Sequence, residues 1–164
     1  MSFTIRRAEP SDYEAVRQVY AGPKAIWGTL QSPFSSLEQW RKRMAEPPEG
    51  LVSLVVCVES EVVGQLSLQA FPNRPRRRHV GEIGMAVRDD WQGKGAGTAL
   101  MQAAVDLADK WLNLTRLELE VYTDNEPAIR LYKKCGFTIE GTLAQNSFRD
   151  GQYVDSYIMA RLRK

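Results

Sequence analysis

Apolar positions along this chain recur with a period of two in some stretches and near 3.6 in others, which marks strands and helices in turn. Phe3 to Arg7 predicts a short first strand. Ser11 or Asp12 can cap a helix that places Ala15, Val16, Val19 and Tyr20 on one face. Residues 22 to 36 read as a loop rich in Gly, Pro and Ser, yet they hold Trp27, Leu30 and Phe34. So many bulky apolar groups in one loop suit either a pocket lining or a loop tucked onto the core. Leu37 to Ala45 predicts a second helix, ended by Pro47-Pro48. Leu51 to Val58 and Val62 to Ala70 read as strands joined by a turn around Glu59 to Glu61. A basic linker, Asn73 to Arg78, leads into a further strand, Val80 to Val87.

The helical period returns after the string Gln92-Gly93-Lys94-Gly95-Ala96-Gly97, in Ala99, Leu100, Ala103, Ala104, Leu107, Ala108 and Trp111. Thr115 to Tyr122 alternates, with Leu117, Leu119 and Val121 on one face. Asn125 caps a last helix, with Pro127 in its first turn and Gly136 closing it. Asp150-Gly151 is a hairpin turn between two strands of the tail, Phe137 to Arg163. No repeat or linker divides the chain. The expectation is one α/β (α+β) domain over residues 1–164, with a central mixed, mostly antiparallel sheet flanked by helices.

Composition narrows the functional classes. The 164 residues are enough to bury a core, and the net charge of +2 is too small to argue for nucleic acid. Cys57 and Cys135 both fall in apolar periodic segments and read as reduced, packed thiols rather than a disulfide. A lone histidine, His79, with no Cys/His cluster argues against a metal site. No apolar run approaches the ~20 residues of a membrane helix, and the N-terminus lacks a signal-peptide core, so a cytoplasmic protein is expected.

A strand, a glycine-rich loop and a helix start together make an anion site, because unpaired helix N–H groups and the helix dipole favour a phosphate there. Two familiar phosphate loops fail on spacing. The P-loop string G-x-x-x-x-G-K-[ST] is missing, and a G-x-G-x-x-G fingerprint begun at Gly93 and Gly95 meets Thr98 where its last glycine belongs. Gln92-x-x-Gly95-x-Gly97 instead matches the Q/R-x-x-G-x-G/A signature of the GNAT family of N-acetyltransferases. Asn125-Glu126-Pro127-Ala128 and Leu131-Tyr132-Lys133-Lys134-Cys135-Gly136-Phe137 resemble that family's second signature, and Ile5 to Asp12 its opening. The resemblance runs from about residue 3 to 162.

The resemblance implies acetyl-CoA as donor. Its pyrophosphate would sit on the amides of Gln92, Gly93, Lys94, Gly95, Ala96, Gly97 and Thr98, and its pantetheine arm along Met85, Ala86 and Val87. Asn125 is either a helix cap or a CoA contact, with the contact favoured. By the same resemblance Tyr132 is the general acid toward the CoA sulfur. It also belongs to an apolar stripe with Ala128, Leu131 and Cys135, so a plain core role stands beside the catalytic one. Glu82 is the candidate base, since a carboxylate beside an apolar strand is raised in pKa by desolvation. Phosphinothricin acetyltransferases carry a glutamate at a matching distance. Glu82 pairing with Arg77 or Arg78, or orienting a water, is the alternative. Arg74, Arg76, Arg77 and Arg78 either steer acidic ligands or form a solvated basic face.

The acceptor is less constrained. Gly28 to Pro33, Arg76 to Val80 and Arg149 to Asp155 resemble a bacterial subgroup acting on free L-amino acids such as phenylalanine and methionine. Trp27, Thr29, Leu30, Gln31, Phe34 and Glu82 are the expected acceptor-binding residues, with an arginine to meet the carboxylate. An antibiotic- or herbicide-type amine and a protein N-terminus are alternatives, as is a non-catalytic acyl-CoA-binding module. A polyamine is disfavoured, because Glu38 and Glu82 are the few carboxylates in the pocket segments. A homodimer is expected.

Overall fold

The computed structural model describes residues 2–164. Seven strands form one sheet in the order β1-β2-β3-β4-β5-β7-β6. They are β1 (Thr4–Arg7), β2 (Leu51–Val58), β3 (Glu61–Ala70), β4 (Val80–Val87), β5 (Arg116–Tyr122), β6 (Thr138–Arg149) and β7 (Gln152–Leu162). Every neighbouring pair is antiparallel except β4 and β5. That parallel pair follows from the crossover through a helix, which is the connection parallel strands need. It is also the shortest pairing in the centre of the sheet, confined to Val80↔Arg116, Gly81↔Leu117 and Glu82↔Glu118.

The five helices are α1 (Tyr13–Ala21), α2 (Pro23–Gly28), α3 (Leu37–Ala45), α4 (Ala96–Leu107) and α5 (Glu126–Lys134). Strand alternation sorts the apolar residues onto two faces. One face packs Leu66, Leu68, Ile83, Leu117, Leu119 and Met159 against Leu100, Met101 and Ala104 of α4 and Tyr132 of α5. The other packs Val55, Cys57, Val62 and Ala86 beneath Val16 and Val19 of α1 and Trp40 of α3. Both thiols are free, Cys57 buried and Cys135 half-buried. No helix among the described residues is long and apolar enough to cross a membrane.

Local chemistry accounts for the end of α5. Gly136 takes φ +91°, the left-handed value that ends helices, and its N–H donates to the Lys133 carbonyl at 3.1 Å. The Phe137 N–H donates to the Tyr132 carbonyl at 3.0 Å, and the two rings lie 6.1 Å apart. Phe137 is fully buried, so this cap anchors Tyr132 by both its backbone and its ring.

Residues 22 to 36 depart from the expected loop by containing α2. Pro23 suits the first turn, but the segment carries no cap of its own. The cap comes from Asp89, whose carboxylate accepts the Lys24 and Ala25 N–H groups at 2.9 Å each. Gly22 makes room for it, since a Cβ there would stand 2.5 Å from that carboxylate. A cap drawn from a distant loop leaves no local signature. Of Ser11 and Asp12, the two expected caps of α1, Asp12 holds the cap position but turns its carboxylate to the Glu9 N–H at 2.7 Å and to Arg6 at 2.8 Å. Past Leu107 the chain adds a π-helical turn, Ala108–Leu112, tied down by Arg161 on Asp109 at 2.7 Å.

The two Asp89 bonds make a test of this fastening. Asp89→Ala is expected to cost ~1–2 kcal/mol, as loss of a helix cap does, and to lower the melting temperature by roughly 2–8 °C. Asp89→Asn, which keeps one acceptor oxygen, is expected to recover part of the loss. A melting temperature unchanged in Asp89→Ala would show that α2 is held by packing alone.

Candidate active site

Past Glu82 and Glu118 the two parallel strands separate. β4 continues along β3 from Ile83↔Leu68 to Val87↔Gly64, and β5 along β7 from Leu119↔Met159 to Tyr122↔Ser156. The facing edges have no strand partner, and the wedge between them opens into a cleft of about 1550 Å³. Met85, Ala86 and Val87 border this cleft. The free edge of β4 offers backbone donors and acceptors to an extended, amide-bearing ligand.

At the open end of β4 lies the glycine loop. Gly93 and Gly95 take φ +73° and +94°, a conformation that side chains with a Cβ resist. Gly97 is bare for another reason: a Cβ there would lie 3.1 Å from Leu131 and 3.5 Å from Met85, so its absence lets α4 sit down on the sheet and α5. Gly95 is the first residue outside α4, and the helical ladder starts with the Ala99 N–H on its carbonyl at 3.1 Å. The N–H groups of Ala96, Gly97 and Thr98 therefore lack helical partners and remain for an anion. The Gln92 amide donates to the Val87 carbonyl at 3.1 Å, so this side chain pins the loop to the strand. Gln92, Gly93, Gly95, Gly97 and Thr98 border the cleft. Ala96 and Lys94 do not border it: Ala96, the first residue of α4, is buried, and the Lys94 ammonium lies 4.9 Å from the Trp91 ring centre.

Tyr132 and Asn125 approach from α5. Tyr132 is 7% exposed, belongs to the core and also borders the cleft, so the position is compatible with either of the roles open to it. Burial pushes its phenol up to about 12, which keeps it protonated over the whole neutral range. The Asn125 carbonyl oxygen caps α5 through the Ala128 N–H at 3.4 Å. Its amide nitrogen faces α2, 3.2 Å from where a Cβ on Gly28 would be. One side chain thus caps with its oxygen and presents a donor with its nitrogen.

The other face of the wedge is strongly acidic. Glu82, Glu118, Glu120, Asp124 and Glu140 all border the cleft, which removes the premise that carboxylates are scarce there. Glu118 is held by Arg77 at 2.8 Å and Arg116 at 2.9 Å, Glu140 by Arg116 at 2.6 Å, and Asp124 by Arg149. Glu120 accepts only from the Asn146 amide, at 3.1 Å. Glu82 is exposed, so the desolvation expected of it is missing. Its expected partners are engaged elsewhere, Arg77 with Glu118 and Arg78 with the Pro72 carbonyl at 3.0 Å. Arg74 and Arg77 lie over the Phe71 ring, at 4.9 and 5.6 Å. None of Arg74, Arg76, Arg77 and Arg78 borders the cleft; Arg74, Arg76 and Arg78 are exposed, and Arg77 is half-buried against Glu118.

Trp27, Thr29, Leu30 and Gln31 form the wall that α2 brings over this face. Phe34 does not join them; it is fully exposed, at φ +62°. A residue without an assigned role holds the wall from behind. Arg149, at the end of β6, stacks 3.7 Å from the Trp27 ring centre and 5.0 Å from that of Tyr122, and donates to the Trp27 carbonyl at 3.3 Å. The Tyr122 hydroxyl donates to the Thr29 carbonyl at 3.0 Å. The hairpin turn beside Arg149 was legible in the sequence; its reach across to residue 27 was not.

Comparison with known proteins agrees with this geometry. The chain is 45% identical to the L-amino acid N-acetyltransferase AaaT of Escherichia coli K12, over 97% of each chain. It is 36% identical to the spermidine N(1)-acetyltransferase of the same organism, over 93% of this chain and 81% of that one. The solved structure of spermidine N-acetyltransferase from Vibrio cholerae in complex with CoA and spermine superposes with a TM-score of 0.84, at 25% identity, over 98% and 95% of the two chains. The acetyltransferase (GNAT) family model matches residues 13–137. Two signatures in the sequence, a wedge between parallel strands and these matches lead to one assignment: the chain belongs to the GNAT family and is an N-acetyltransferase.

Proposed function

We propose that this enzyme transfers the acetyl group of acetyl-CoA to the α-amino group of free L-amino acids, bulky apolar ones such as phenylalanine and methionine foremost. The observation that carries the donor is the free β4 edge ending on the unpartnered amides of Ala96, Gly97 and Thr98. An extended arm and a pyrophosphate fit those two features in that order. The acceptor rests on the 45% identity to an L-amino acid N-acetyltransferase and on the Trp27 to Gln31 wall.

In this reading acetyl-CoA supplies the activated acyl group, and the chain's residues handle charge. Deprotonating an α-amine at pH 7 costs roughly 1 kcal/mol, against about 4.6 for a lysine side chain. A free amino acid lies between the two. A modest base therefore suffices, and Glu82, exposed and without a cationic partner, takes the proton directly or through water. Tyr132 serves the sulfur. Handing its proton fully to a thiolate of ordinary pKa ~8.5 is uphill by about 5 kcal/mol from a phenol near 12. Tyr132 thus acts mainly as a hydrogen-bond donor to the developing thiolate. Homodimer formation belongs to the same reading, supported by β6, an edge strand exposed along most of its length; sedimentation as a monomer would remove it.

Glu82 and Glu120 support a second acceptor reading. Two carboxylates without cationic partners suit a second ammonium, and a relative at 36% identity is a spermidine acetyltransferase. An acceptor screen separates the readings: phenylalanine and methionine are expected ahead of glycine and spermidine, and spermidine in the lead would replace the amino-acid assignment. The lining arginines, Arg116 and Arg130, are both ion-paired. Phenylalanine and its methyl ester are therefore expected to react at rates of the same order, and a much slower ester would reveal a carboxylate clamp.

Two further outcomes test the donor and the acid. Pantetheine, which lacks the pyrophosphate, is expected to bind at least ~100-fold more weakly than CoA by calorimetry, the worth of about two charge-assisted bonds. Equal affinities would remove the anion site at α4. Tyr132→Phe keeps the buried ring, so its melting temperature is expected to stay close to wild type while kcat falls at least ~10-fold. Intact turnover would leave Tyr132 a core residue only.

A further inference from the structure

Glycine is unusual in the middle of a central strand, because it packs nothing and loses more backbone freedom than any other residue. Two glycines of this sheet have an evident reason. A Cβ on Gly64 would lie 2.8 Å from Val56, and one on Gly81 would lie 2.9 Å from Leu68 and 3.0 Å from Leu114. Gly84, midway along β4, has neither excuse. A Cβ there would meet nothing within 4 Å, and its φ lies outside the left-handed region. The folded protein would accept a side chain at Gly84, yet the space is left open, and it opens into the cleft.

The surroundings of that space are rigid. Gly84 pairs with Ser67 across the strand, between Glu82↔Gln69 on one side and Ala86↔Gln65 on the other. The Tyr20 hydroxyl donates to the Gln65 side-chain oxygen at 2.5 Å, and the Gln65 amide donates to Ser53 and Ser67 at 2.8 and 2.9 Å. The Tyr20 ring is stacked on Trp40, 5.1 Å between centres. Gln65 spends its hydrogen bonds inside this network and does not border the cleft, while Ser67, whose hydroxyl already accepts from Gln65, borders it with Gln69, Tyr20, Ala25 and Ala86. Glu82 stands one strand repeat away on the same face, about 7 Å along β4.

We propose that the space over Gly84 is the subsite for the acceptor's side chain, sized for an apolar group up to benzyl, with Glu82 meeting the amine one repeat away. The inference rests on the amino-acid reading of the acceptor and adds the residue that sets its size preference. Position 84 is then a specificity determinant: each added carbon shortens the largest side chain that fits. One methylene in such a pocket changes discrimination by ~10–200-fold.

The test uses Gly84→Ala and Gly84→Val. Both are expected to fold, with melting temperatures equal to or above wild type. The ratio of kcat/KM for phenylalanine to that for alanine is expected to fall stepwise, by at least ~10-fold in Gly84→Val. The KM for acetyl-CoA is expected to stay near wild type. Calorimetry in the presence of CoA gives a readout apart from turnover: N-acetylphenylalanine is expected to lose affinity and N-acetylalanine to keep most of its own. A loss uniform across acceptors overturns the proposal, as does a loss that follows donor chain length, propionyl against acetyl. A wild-type enzyme that acetylates no amino acid overturns the acceptor reading instead. The same variants then decide Gly84 on primary amines from ethylamine to phenethylamine, where a size-graded loss upholds the subsite and a flat one removes it.

Discussion

The structure depends on a pairing that stops. β4 and β5 share three residue pairs and then part, each held to its far end by its other neighbour. Backbone groups on an unpaired edge inside a sheet are expensive unless something satisfies them. Here they border a cleft, where water or an extended ligand can do so. The separation begins directly after Glu82 and Glu118, and Arg77 and Arg116 bind Glu118 at that point. These ion pairs offset the repulsion of two carboxylates lying side by side on adjacent strands.

The two cores keep the wedge open without filling it. Leu100, Met101 and Ala104 hold β3 and β4 from one face, while Val16, Val19 and Trp40 hold β2 and β3 from the other. The glycine-loop side and the α2 side of the cleft are also fastened to each other. Asp89, in the loop that runs into the glycines, caps α2 with two bonds, and α2 carries the wall from Trp27 to Gln31. At its other end the wall is held by Tyr122 and Arg149. One carboxylate thus ties the segment before the glycine loop to the helix that carries the wall.

Several residues that border the cleft also hold the fold together. Tyr132 is a core residue whose burial keeps its phenol protonated, so the packing that holds the ring also sets its acidity. Asn125 divides its amide between a helix cap and the cleft. Gln92 spends its side chain on Val87, and Gly97 makes space for Leu131. Much of the glycine-loop signature thus shapes the support of the anion site, and the main-chain amides remain for the ligand.

The sequence by itself determined most of the elements and the family. The apolar run Leu51–Val58, the alternation over Thr115–Tyr122, the caps at Asn125 and Gly136, and the turn at Asp150-Gly151 are local, and local backbone preferences decide them. The glycine string located the turn into α4 for the same reason. Only the tertiary structure decided what depends on residues far apart. Asp89 makes a helix of residues 23–28 from 65 positions away. Register brings Glu118 beside Glu82, and Glu120 borders the same cleft, turning a segment poor in carboxylates into an acidic face. Phe34, apolar in the sequence, ends in solvent because its backbone turns it out of the wall, while Arg149 enters behind Trp27. Burial and charge are sums over neighbours, and the neighbours are chosen by the fold.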